Sequence, residues 1–355
     1  MKKWLTIFIL LVLILFSGCS TPKPSALDSL PKSMHLEIGE TYLFGDFDHY
    51  ESSNEVVASF DQDGRIHALK NGISELIIYE GSRHVAIQLT VGQGEELPLI
   101  IDIIDIGQGD AILIQLPNGE VMMIDCGKAR SDSWDKISSK LNNYHITTID
   151  HLIITHNHSD HYDLVPDLIS NYDVLAIYGS GSTRTNITYL QIMQAIDAAG
   201  LEIYVVEVGD KIIDEVGLVL QVVATQQIEN EDDPNISSVV VKLTYLNTSY
   251  LFMGDAGFAS SRDGEYTALN SGIELDSDVL KVGHHGSYEA SGEAFLAEVT
   301  PTYALITTDQ DSTNHPHVNA LNRLIAVGAT IYQTKDQGTI TITSDGEEIA
   351  FSFEK

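Results

Sequence analysis

Basic residues and cysteines are scarce in this chain. Only 19 of its 355 residues are lysine or arginine, against 51 aspartates and glutamates, so the formal net charge is −32. This shortage of positive charge argues against a broad, nonspecific grip on DNA, because such binding needs lysine and arginine along a surface. It leaves room for a local phosphate site. The hydrophobic content of 43% allows a sizeable core and argues against global disorder.

The N-terminus has the features of a targeting segment. Lys2 and Lys3 precede an apolar stretch that ends at Phe16 and is short for a membrane span of about 20 residues. Phe16-Ser17-Gly18-Cys19 follows and resembles a bacterial lipobox. The resemblance implies removal of residues 1–18, a lipid on the Cys19 sulfur and an extracytoplasmic location on the bacterial cell membrane. An ordinary secretory signal or an uncleaved anchor is the alternative.

The chain has only one other cysteine, Cys126. Once Cys19 is acylated, Cys126 has no partner for an intramolecular disulfide. A lone thiol in an exported protein usually survives by burial. Cys126 lies in Ile124-Asp125-Cys126-Gly127, where a strand-like run meets a turn. We therefore predict that this thiol is buried; a catalytic thiol and a thiolate metal ligand are the alternatives.

The composition then changes along the chain. Residues 19–33 are rich in serine, proline and lysine, which is typical of a flexible tether. Residues 34–93 contain short strand-like runs separated by turns, which predicts a small all-β sandwich. Segments such as Ser52-Ser53-Asn54-Glu55-Val56-Val57-Ala58 and Asp63-Gly64-Arg65-Ile66 resemble the bacterial Ig-like group 2 domain. That family implies a spacer or adhesion module, whose partner the sequence does not identify.

From residue 97 to residue 355, strand-like and helix-like stretches alternate. Val121 to Ile124 and Leu218 to Ala224 have the apolar character of buried strands. Ser133 to Asn142 and Thr188 to Ala199 have the pattern of helices. Interleaved strands and helices predict a layered α/β domain.

A cluster of metal-binding side chains follows one of the predicted strands. His156, His158, Asp160 and His161 come directly after the apolar run Leu152 to Ile154. His156 and His158 alternate as strand neighbours do, so both can face the same way, while the other two lie where the chain turns into a helix. Imidazole nitrogen suits zinc and also manganese, nickel or iron, and carboxylate oxygen widens that choice.

Two later segments add further ligand types. Asp255 follows a strand-like run and Gly254, and His284 and His285 follow the run Val279 to Val282. Side chains at the ends of several strands can converge at one edge of a sheet. The pattern therefore predicts one metal centre built from distant parts of the sequence.

These ligand segments resemble those of the metallo-β-lactamase superfamily. Further motifs are similar to the hydrolase domain of the ComEC/Rec2 competence proteins and extend the resemblance over about residues 98 to 345. They are Asp105-Ile106-Gly107-Gln108-Gly109-Asp110-Ala111, Ile124-Asp125-Cys126-Gly127, Asn235-Ile236-Ser237-Ser238, His284-His285-Gly286-Ser287 and His315-Pro316-His317. The resemblance implies an αββα sandwich over residues 97–355, with its site at one edge of the facing sheets.

The resemblance also implies a ligand set for two divalent metal ions, zinc or manganese. His156 and His158 would hold the first ion, and Asp160, His161 and His284 the second, with Asp255 between both. His285 is the alternative to His284. Most two-metal members supply a third histidine to the first ion, but none occurs here from Tyr162 to Gly254, and Asn235 lies near that slot. We expect the first site to be weaker, more open or better suited to a hard metal such as manganese.

Other residues of these motifs are candidates for supporting roles. Asp160 could also orient an attacking water molecule, and Asn235 could be a metal ligand or contact the substrate. Ser287 and His317 could contact a substrate phosphate or protonate a leaving group. Asp110 and Asp125 are expected either to support a ligand or to cap a turn. His315 is a further substrate candidate, or only a helix cap before Pro316.

The sequence thus predicts an exported, lipid-anchored metal-dependent hydrolase. A phosphodiesterase or nuclease of the ComEC-like group, using a metal-activated hydroxide, is the leading interpretation. Its partner would be a phosphate-ester substrate, including short or single-stranded nucleic acid. A cell-wall phosphodiester esterase of the phosphorylcholine type, a lactam hydrolase and a non-catalytic surface-binding protein are the alternatives.

Overall fold

The structure is a computed structural model. It describes residues 27, 30–31, 33–92, 97–130, 132–229, 233–260 and 262–355. The predicted leader 1–18, the lipidation at Cys19 and most of the tether 19–33 lie outside these residues. Leu27, which lies within that tether, is buried in the core that the N-terminal strands form, so packing begins before residue 34. Within the described ranges, no helix combines the length and the apolar character that crossing a membrane requires.

The N-terminal region is built only from strands. One sheet has the order β1-β7-β6-β3 and a second has the order β2-β5-β4. Side chains that alternate along the strands, such as Leu76, Ile78, Ile87 and Leu89, point inward and form one core. The all-β architecture predicted for residues 34–93 is present, and the Ig-like assignment remains a prediction. The strands are β1 Ser33–Leu36, β2 Thr41–Leu43, β3 His49–Ser52, β4 Ala58–Phe60, β5 Arg65–Ala68, β6 Gly72–Glu80 and β7 Arg83–Val91.

The remainder of the chain contains two large sheets. The first has the order β15-β14-β12-β10-β9-β8-β23-β24, in which β10, β12, β14 and β15 are parallel. The strands are β8 Leu99–Ile103, β9 Ile112–Gln115, β10 Val121–Ile124, β12 His151–Ile154, β14 Ile177–Gly179, β15 Ile203–Val205, β23 Ile340–Ser344 and β24 Ile349–Phe353. A separate short pair joins β11 Thr148–Ile149 to β13 Asp173–Val174.

The second large sheet has the order β16-β17-β18-β19-β20-β21-β22, and its last four strands are parallel. Its β17 coincides with the predicted strand Leu218 to Ala224. The strands are β16 Lys211–Glu215, β17 Leu218–Ala224, β18 Val240–Tyr245, β19 Thr248–Phe252, β20 Val279–Lys281, β21 Tyr303–Ile306 and β22 Thr330–Gln333.

The two sheets face each other and helices cover their outer faces. Ile153 points into the core between the sheets, whereas its neighbours Leu152 and Ile154 point outward against helices. Because both faces of the sheets are covered, central strands such as β10 and β17 are almost continuously apolar, as observed for buried sheets. The helices are α1 Ser133–Asn143, α2 Ser159–Tyr162, α3 Val165–Asn171, α4 Ile187–Ala198, α5 Gly264–Leu269, α6 Glu293–Val299, α7 Val318–Ala326 and α8 Thr334–Gln337. The predicted αββα sandwich is confirmed.

The parallel strands of both sheets end at the same edge of this sandwich. β10 and β12 end just before Asp125 and His156, and β19, β20 and β21 end just before Asp255, His284 and Thr307. The side chains that follow these strands are therefore brought together, although up to about half of the chain separates them in sequence.

Candidate metal centre

The histidine cluster after β12, residues 156–161, lies at this edge of the sandwich. His156 and His161 are buried, and their ring centroids are 4.2 Å apart. His158 lies beside them, with its ring centroid 4.9 Å from that of His156. The chain turns sharply here, from β12 into α2, so that residues on both sides of the turn face one point.

Asp255 lies in the middle of the centre, and its two carboxylate oxygens face different histidines. Oδ2 is 3.6 Å from Nε2 of His156 and 3.9 Å from Nε2 of His284. Oδ1 is 3.2 Å from Nε2 of His161 and 3.5 Å from Nε2 of His285. The carboxylate therefore divides the cluster into two halves that share it.

The first half-site lies on the Oδ2 side. Nε2 of His156 is 3.1 Å from Nδ1 of His158. The amide Nδ2 of Asn235 is 3.4 Å from both ring nitrogens of His284. Asn235 is carried by a 3-10 turn, Pro234–Ser237, that precedes β18. The first half-site thus consists of His156, His158, Asn235 and His284.

The second half-site lies on the Oδ1 side and consists of Asp160, His161 and His285. One carboxylate oxygen of Asp160 is 3.6 Å from Nε2 of His285. Ligand atoms of all three residues lie within 4.8 Å of one another, the spacing expected of groups around one cation. His285 is fully buried, whereas the side chains of His284 and Asp160 are 32% and 23% exposed, so both half-sites reach solvent and the first is the more open.

The placement of the two consecutive histidines differs from the sequence-based assignment. His285, rather than His284, lies beside Asp160 and His161, and His284 lies on the side that lacked a third histidine. Both residues have left-handed backbone, with φ of 46° and 50°. This conformation costs on the order of 1–3 kcal/mol per residue and is typical of functional sites. It allows two neighbours in sequence to face opposite oxygens of Asp255.

The orientation of His161 is set from behind by Asp125. Nδ1–H of His161 donates to Oδ2 of Asp125 over 2.6 Å, so in the neutral imidazole Nε2 carries the lone pair and faces Asp255. The same carboxylate accepts the backbone N–H of Thr155 at 2.8 Å and its hydroxyl at 2.6 Å. Because that hydroxyl donates to Asp125, its oxygen can accept from Nδ1–H of His156, 3.1 Å away. One buried carboxylate therefore fixes the tautomer of two histidines.

A second relay fixes His285. The Thr307 hydroxyl donates to Oδ1 of Asp110 over 2.6 Å, and its oxygen lies 2.9 Å from Nδ1 of His285, which can donate to it. The other oxygen of Asp110 forms a buried ion pair with Nζ of Lys281 at 2.9 Å. Burial alone would raise the pKa of Asp110, but Lys281 and nearby histidines lower it. Asp110 therefore remains a charged acceptor behind His285.

Replacing Lys281 with methionine is expected to destabilise the fold by about 3–5 kcal/mol, because the Asp110 carboxylate would be left buried without its counter-charge. Chemical denaturation followed by circular dichroism measures the effect. A double variant, Lys281→Met with Asp110→Asn, should recover part of the loss, since it removes the uncompensated charge. Equal stability of the single variant and the wild type would contradict a structural role for this ion pair.

The electrostatics of the centre divide its histidines. Burial alone would lower the pKa of His161, but Asp255 and Asp125 raise it well above its usual value, so a cation bound there displaces a proton. Burial lowers the pKa of His156 well below its usual value and lowers that of His158. For Asp255, burial alone would raise the pKa, but His161 and His285 hold it well below the usual range. Neutral imidazole and ionised carboxylate are the protonation states that bind metal ions.

Four buried polar atoms of the centre have no hydrogen-bond partner. They are Nε2 of His161, Nε2 of His285, Oδ1 of Asp255 and Oδ1 of Asn235. Buried polar atoms normally have partners, and an unpartnered set needs an explanation such as an ion. In neutral imidazoles the two nitrogens carry lone pairs, and the other two atoms are oxygens, so all four are then acceptors with no donor. The residues present therefore fit divalent cations.

Close backbone approaches shape the centre. A Cβ added to Gly109, which has φ of +140°, would come within 2.5 Å of the Asp160 carbonyl oxygen. A Cβ on Gly254, at φ of +51°, would come within 2.9 Å of Thr155. These contacts explain the glycines in two of the motifs, because only glycine permits this conformation and this distance.

The remaining candidates from the sequence lie around the centre. The ring of His315 is 5.5 Å from that of His284, so His315 borders the opening. His317 lies further out; its Nδ1 accepts the backbone N–H of Asn319 and caps α7. Ser287 accepts the N–H of Glu289 in the loop after the histidine pair. Cys126 is buried in the outer core as predicted, and burial raises the pKa of its thiol well above the usual value.

Sequence reasoning missed two residues that hold the ligands in place, Thr155 and Thr307, which orient histidines. Lys281, for which the sequence favoured a structural role, neutralises Asp110. Each lies at the end of an apolar strand, next to or near a predicted ligand. A polar residue that ends a buried strand at the same edge is the signal that could have identified the two threonines.

Comparison with known proteins identifies the family. The metallo-β-lactamase superfamily profile matches residues 104–308, more than half of the chain. ComE operon protein 3 of Bacillus subtilis (strain 168) is 28% identical over 263 residues, 68% of this chain and 32% of that protein. Recombination protein 2 of Haemophilus influenzae is 25% identical over 246 residues, 68% of this chain and 28% of that protein. The matched part thus spans about a third of the length of these relatives.

A solved structure is similar to this chain at lower identity. The metallo-β-lactamase fold protein YhfI from Bacillus subtilis is 14% identical, with a TM-score of 0.48, and the match covers 70% of this chain and 100% of that one. The sandwich, the strand-end ligands and the profile match agree. The chain belongs to the metallo-β-lactamase superfamily, has ComEC-like relatives, and has the fold of a metal-dependent hydrolase.

Proposed function

We propose that the chain is a phosphodiesterase or nuclease that uses two divalent metal ions, zinc or manganese. The observation that carries this proposal is the pair of half-sites that share Asp255, each lined by acceptor atoms. When bound by these residues, two divalent cations would supply a water molecule of lowered pKa and positive charge that offsets the charge on phosphate oxygens.

The side chains of the centre have distinct parts in this proposal. His156, His158 and His284 hold one ion, and His284 thereby takes the role of the third histidine that the sequence lacked. His161 and His285 hold the other ion together with Asp160. Burial alone would raise the pKa of Asp160, but His285 and His161 lower it, so its carboxylate is ionised and can accept a proton or a hydrogen bond from water.

Asn235 gives the first half-site a hard oxygen ligand. Its Oδ1 has no hydrogen-bond partner, while its Nδ2 approaches the His284 ring. An amide oxygen binds zinc less well than imidazole does and suits manganese better. We therefore propose that the first, more open half-site exchanges its metal more readily than the second.

The proposed substrate is short or single-stranded nucleic acid. The name of one relative, Recombination protein 2, supports this choice. The net charge of −32 opposes a long contact with duplex DNA, because the surface repels phosphates away from the metal centre. A small or flexible strand can reach the centre with few phosphates near that surface.

We further propose that Cys19 carries a lipid that anchors the chain outside the bacterial cell membrane, with residues 34–93 as an Ig-like spacer or adhesion module. The lipobox-like residues before Cys19 support the anchor. Labelling of cells with a tagged fatty acid tests it, since the wild type should incorporate the label and a Cys19→Ser variant should not.

A substrate panel tests the proposed activity. The purified chain would be offered bis-(p-nitrophenyl) phosphate, single-stranded DNA, double-stranded DNA, p-nitrophenyl phosphorylcholine and a chromogenic lactam, each with zinc and with manganese. We expect hydrolysis of the phosphodiesters, faster on single-stranded than on double-stranded DNA, and its loss in Asp160→Ala. Turnover of the phosphorylcholine ester alone would identify a cell-wall esterase. No turnover of any ester with either metal would favour a non-catalytic surface protein.

A further inference from the structure

The loop that follows the histidine pair presents an aromatic side chain to solvent. Tyr288 lies three residues after His285 and is 54% exposed. The loop, residues 287–292, begins at the metal centre, because the backbone N–H of Ser287 donates to the carbonyl oxygen of His284 over 2.8 Å. An exposed tyrosine on a surface loop does not by itself indicate a binding site. The contacts that hold the loop in place are needed to interpret it.

Two side chains hold the 287–292 loop rigidly from below. The Arg323 guanidinium donates to three of its carbonyl oxygens, those of Tyr288, Ala290 and Ser291, over 2.7–2.8 Å. The Glu265 carboxylate, almost fully buried, accepts the backbone N–H groups of Ser291 and Gly292 over 2.5 and 2.8 Å. Five backbone groups of the loop are thus hydrogen-bonded to the side chains of Arg323 and Glu265. These bonds hold the loop in the conformation that exposes Tyr288.

The ring of Tyr288 packs against one other aromatic ring, that of His317. His317 packs edge-on against it, with ring centroids 5.1 Å apart and planes at 85°. His317 is itself tied to the histidine loop, because its N–H donates to the Gly286 carbonyl oxygen over 2.8 Å. Among the described residues, His317 is the only aromatic neighbour of the Tyr288 ring, so aromatic surface remains open beside the metal centre.

We infer that Tyr288, braced by the 287–292 loop and by His317, is a stacking platform for a base of the substrate. The inference rests on the proposed phosphodiesterase function and narrows its substrate to nucleoside phosphodiesters. An aromatic ring on a braced loop loses less entropy when a base covers it than one on a mobile loop, and every base has a face that can stack. A quaternary ammonium such as choline is instead held by a cage of several aromatic faces, and one open ring with an edge-on neighbour does not form such a cage.

Three phosphodiesters with the same leaving group test this inference: thymidine 5′-(p-nitrophenyl phosphate), methyl p-nitrophenyl phosphate and p-nitrophenyl phosphorylcholine. Tyr288→Ala should lower kcat/KM for the thymidine ester by roughly 5- to 150-fold, mainly through KM, and leave the methyl ester within about twofold. Tyr288→Phe keeps the ring and should behave as the wild type. Tyr204→Ala, which removes a tyrosine that is 50% exposed on β15, is the matched control and should change nothing.

A binding measurement separates this inference from the proposed activity. Calorimetric titration of the manganese-loaded full chain with thymidine 5′-monophosphate and with inorganic phosphate needs no turnover. Weaker binding of the nucleotide, but not of phosphate, by Tyr288→Ala supports the platform even if no ester is hydrolysed. Equal effects of Tyr288→Ala on all three esters, a loss confined to the phosphorylcholine ester, or unchanged nucleotide binding would overturn it.

Discussion

Replacing Asp255 with alanine is expected to abolish phosphodiester hydrolysis, lowering kcat/KM for bis-(p-nitrophenyl) phosphate by at least roughly a thousandfold. The reason is geometric: Asp255 is the only side chain whose oxygens face both half-sites, Oδ2 toward His156 and Oδ1 toward His161, among the residues that the structure describes. Without it, neither cation would retain its shared ligand. Steady-state kinetics and metal analysis of the purified variant measure the two consequences.

The matched control for this variant is Asp197→Ala, which removes an exposed carboxylate from the last turn of α4. It should retain wild-type activity and metal content. Circular dichroism and a melting curve would show whether the Asp255 variant remains folded. A folded Asp255→Ala protein with wild-type metal content and turnover would contradict the two-half-site arrangement.

Replacing Asp125 with asparagine is expected to weaken metal binding by about 10- to 100-fold, although no metal ligand is replaced. Asparagine has the same shape and tolerates the left-handed backbone at this position, where φ is 59°. Its Oδ1 can still accept the Thr155 N–H, but an NH2 group then faces Nδ1 of His161. The imidazole would have to carry its proton on Nε2, which could no longer bind a cation.

Competition with a metal-sensitive dye measures this affinity. Asp150→Asn is the control, since Asp150 also accepts a backbone N–H, that of Val121 over 2.8 Å, but lies at the opposite end of β12. Its metal affinity should equal that of the wild type. Unchanged affinity in Asp125→Asn would show that the tautomer of His161 is not set by Asp125.

Much of the fold could be predicted from the sequence because burial on both faces leaves a strong signal. The apolar runs Val121 to Ile124 and Leu218 to Ala224 are strands with the predicted bounds, and α1 and α4 end within one residue of their predicted ends. The two-residue strands β11 and β13 were not predicted, because two side chains are too few to show a period.

The sequence also placed the ligand segments, because histidine and aspartate directly after buried strands are rare without a function. It could not assign His284 and His285 to their sides. That choice depends on two consecutive left-handed residues, a backbone conformation that no local pattern predicts for histidine. Nor could it show that Thr155 and Thr307 carry hydrogen bonds between carboxylates and histidines. The Thr155 contact forms only when β12 pairs with β10, and the Thr307 contact only when the two sheets pack.

Asp255 is proposed to hold one cation at each of its carboxylate oxygens. Crystals of the chain grown with manganese, and measured at a wavelength where manganese scatters anomalously, test it most directly. Two anomalous peaks about 3.5–4 Å apart are expected. One should lie among His156, His158 and His284, and the other among Asp160, His161 and His285. A map without peaks at Asp255, or with a single peak bound to one oxygen only at saturating manganese, would contradict this proposal.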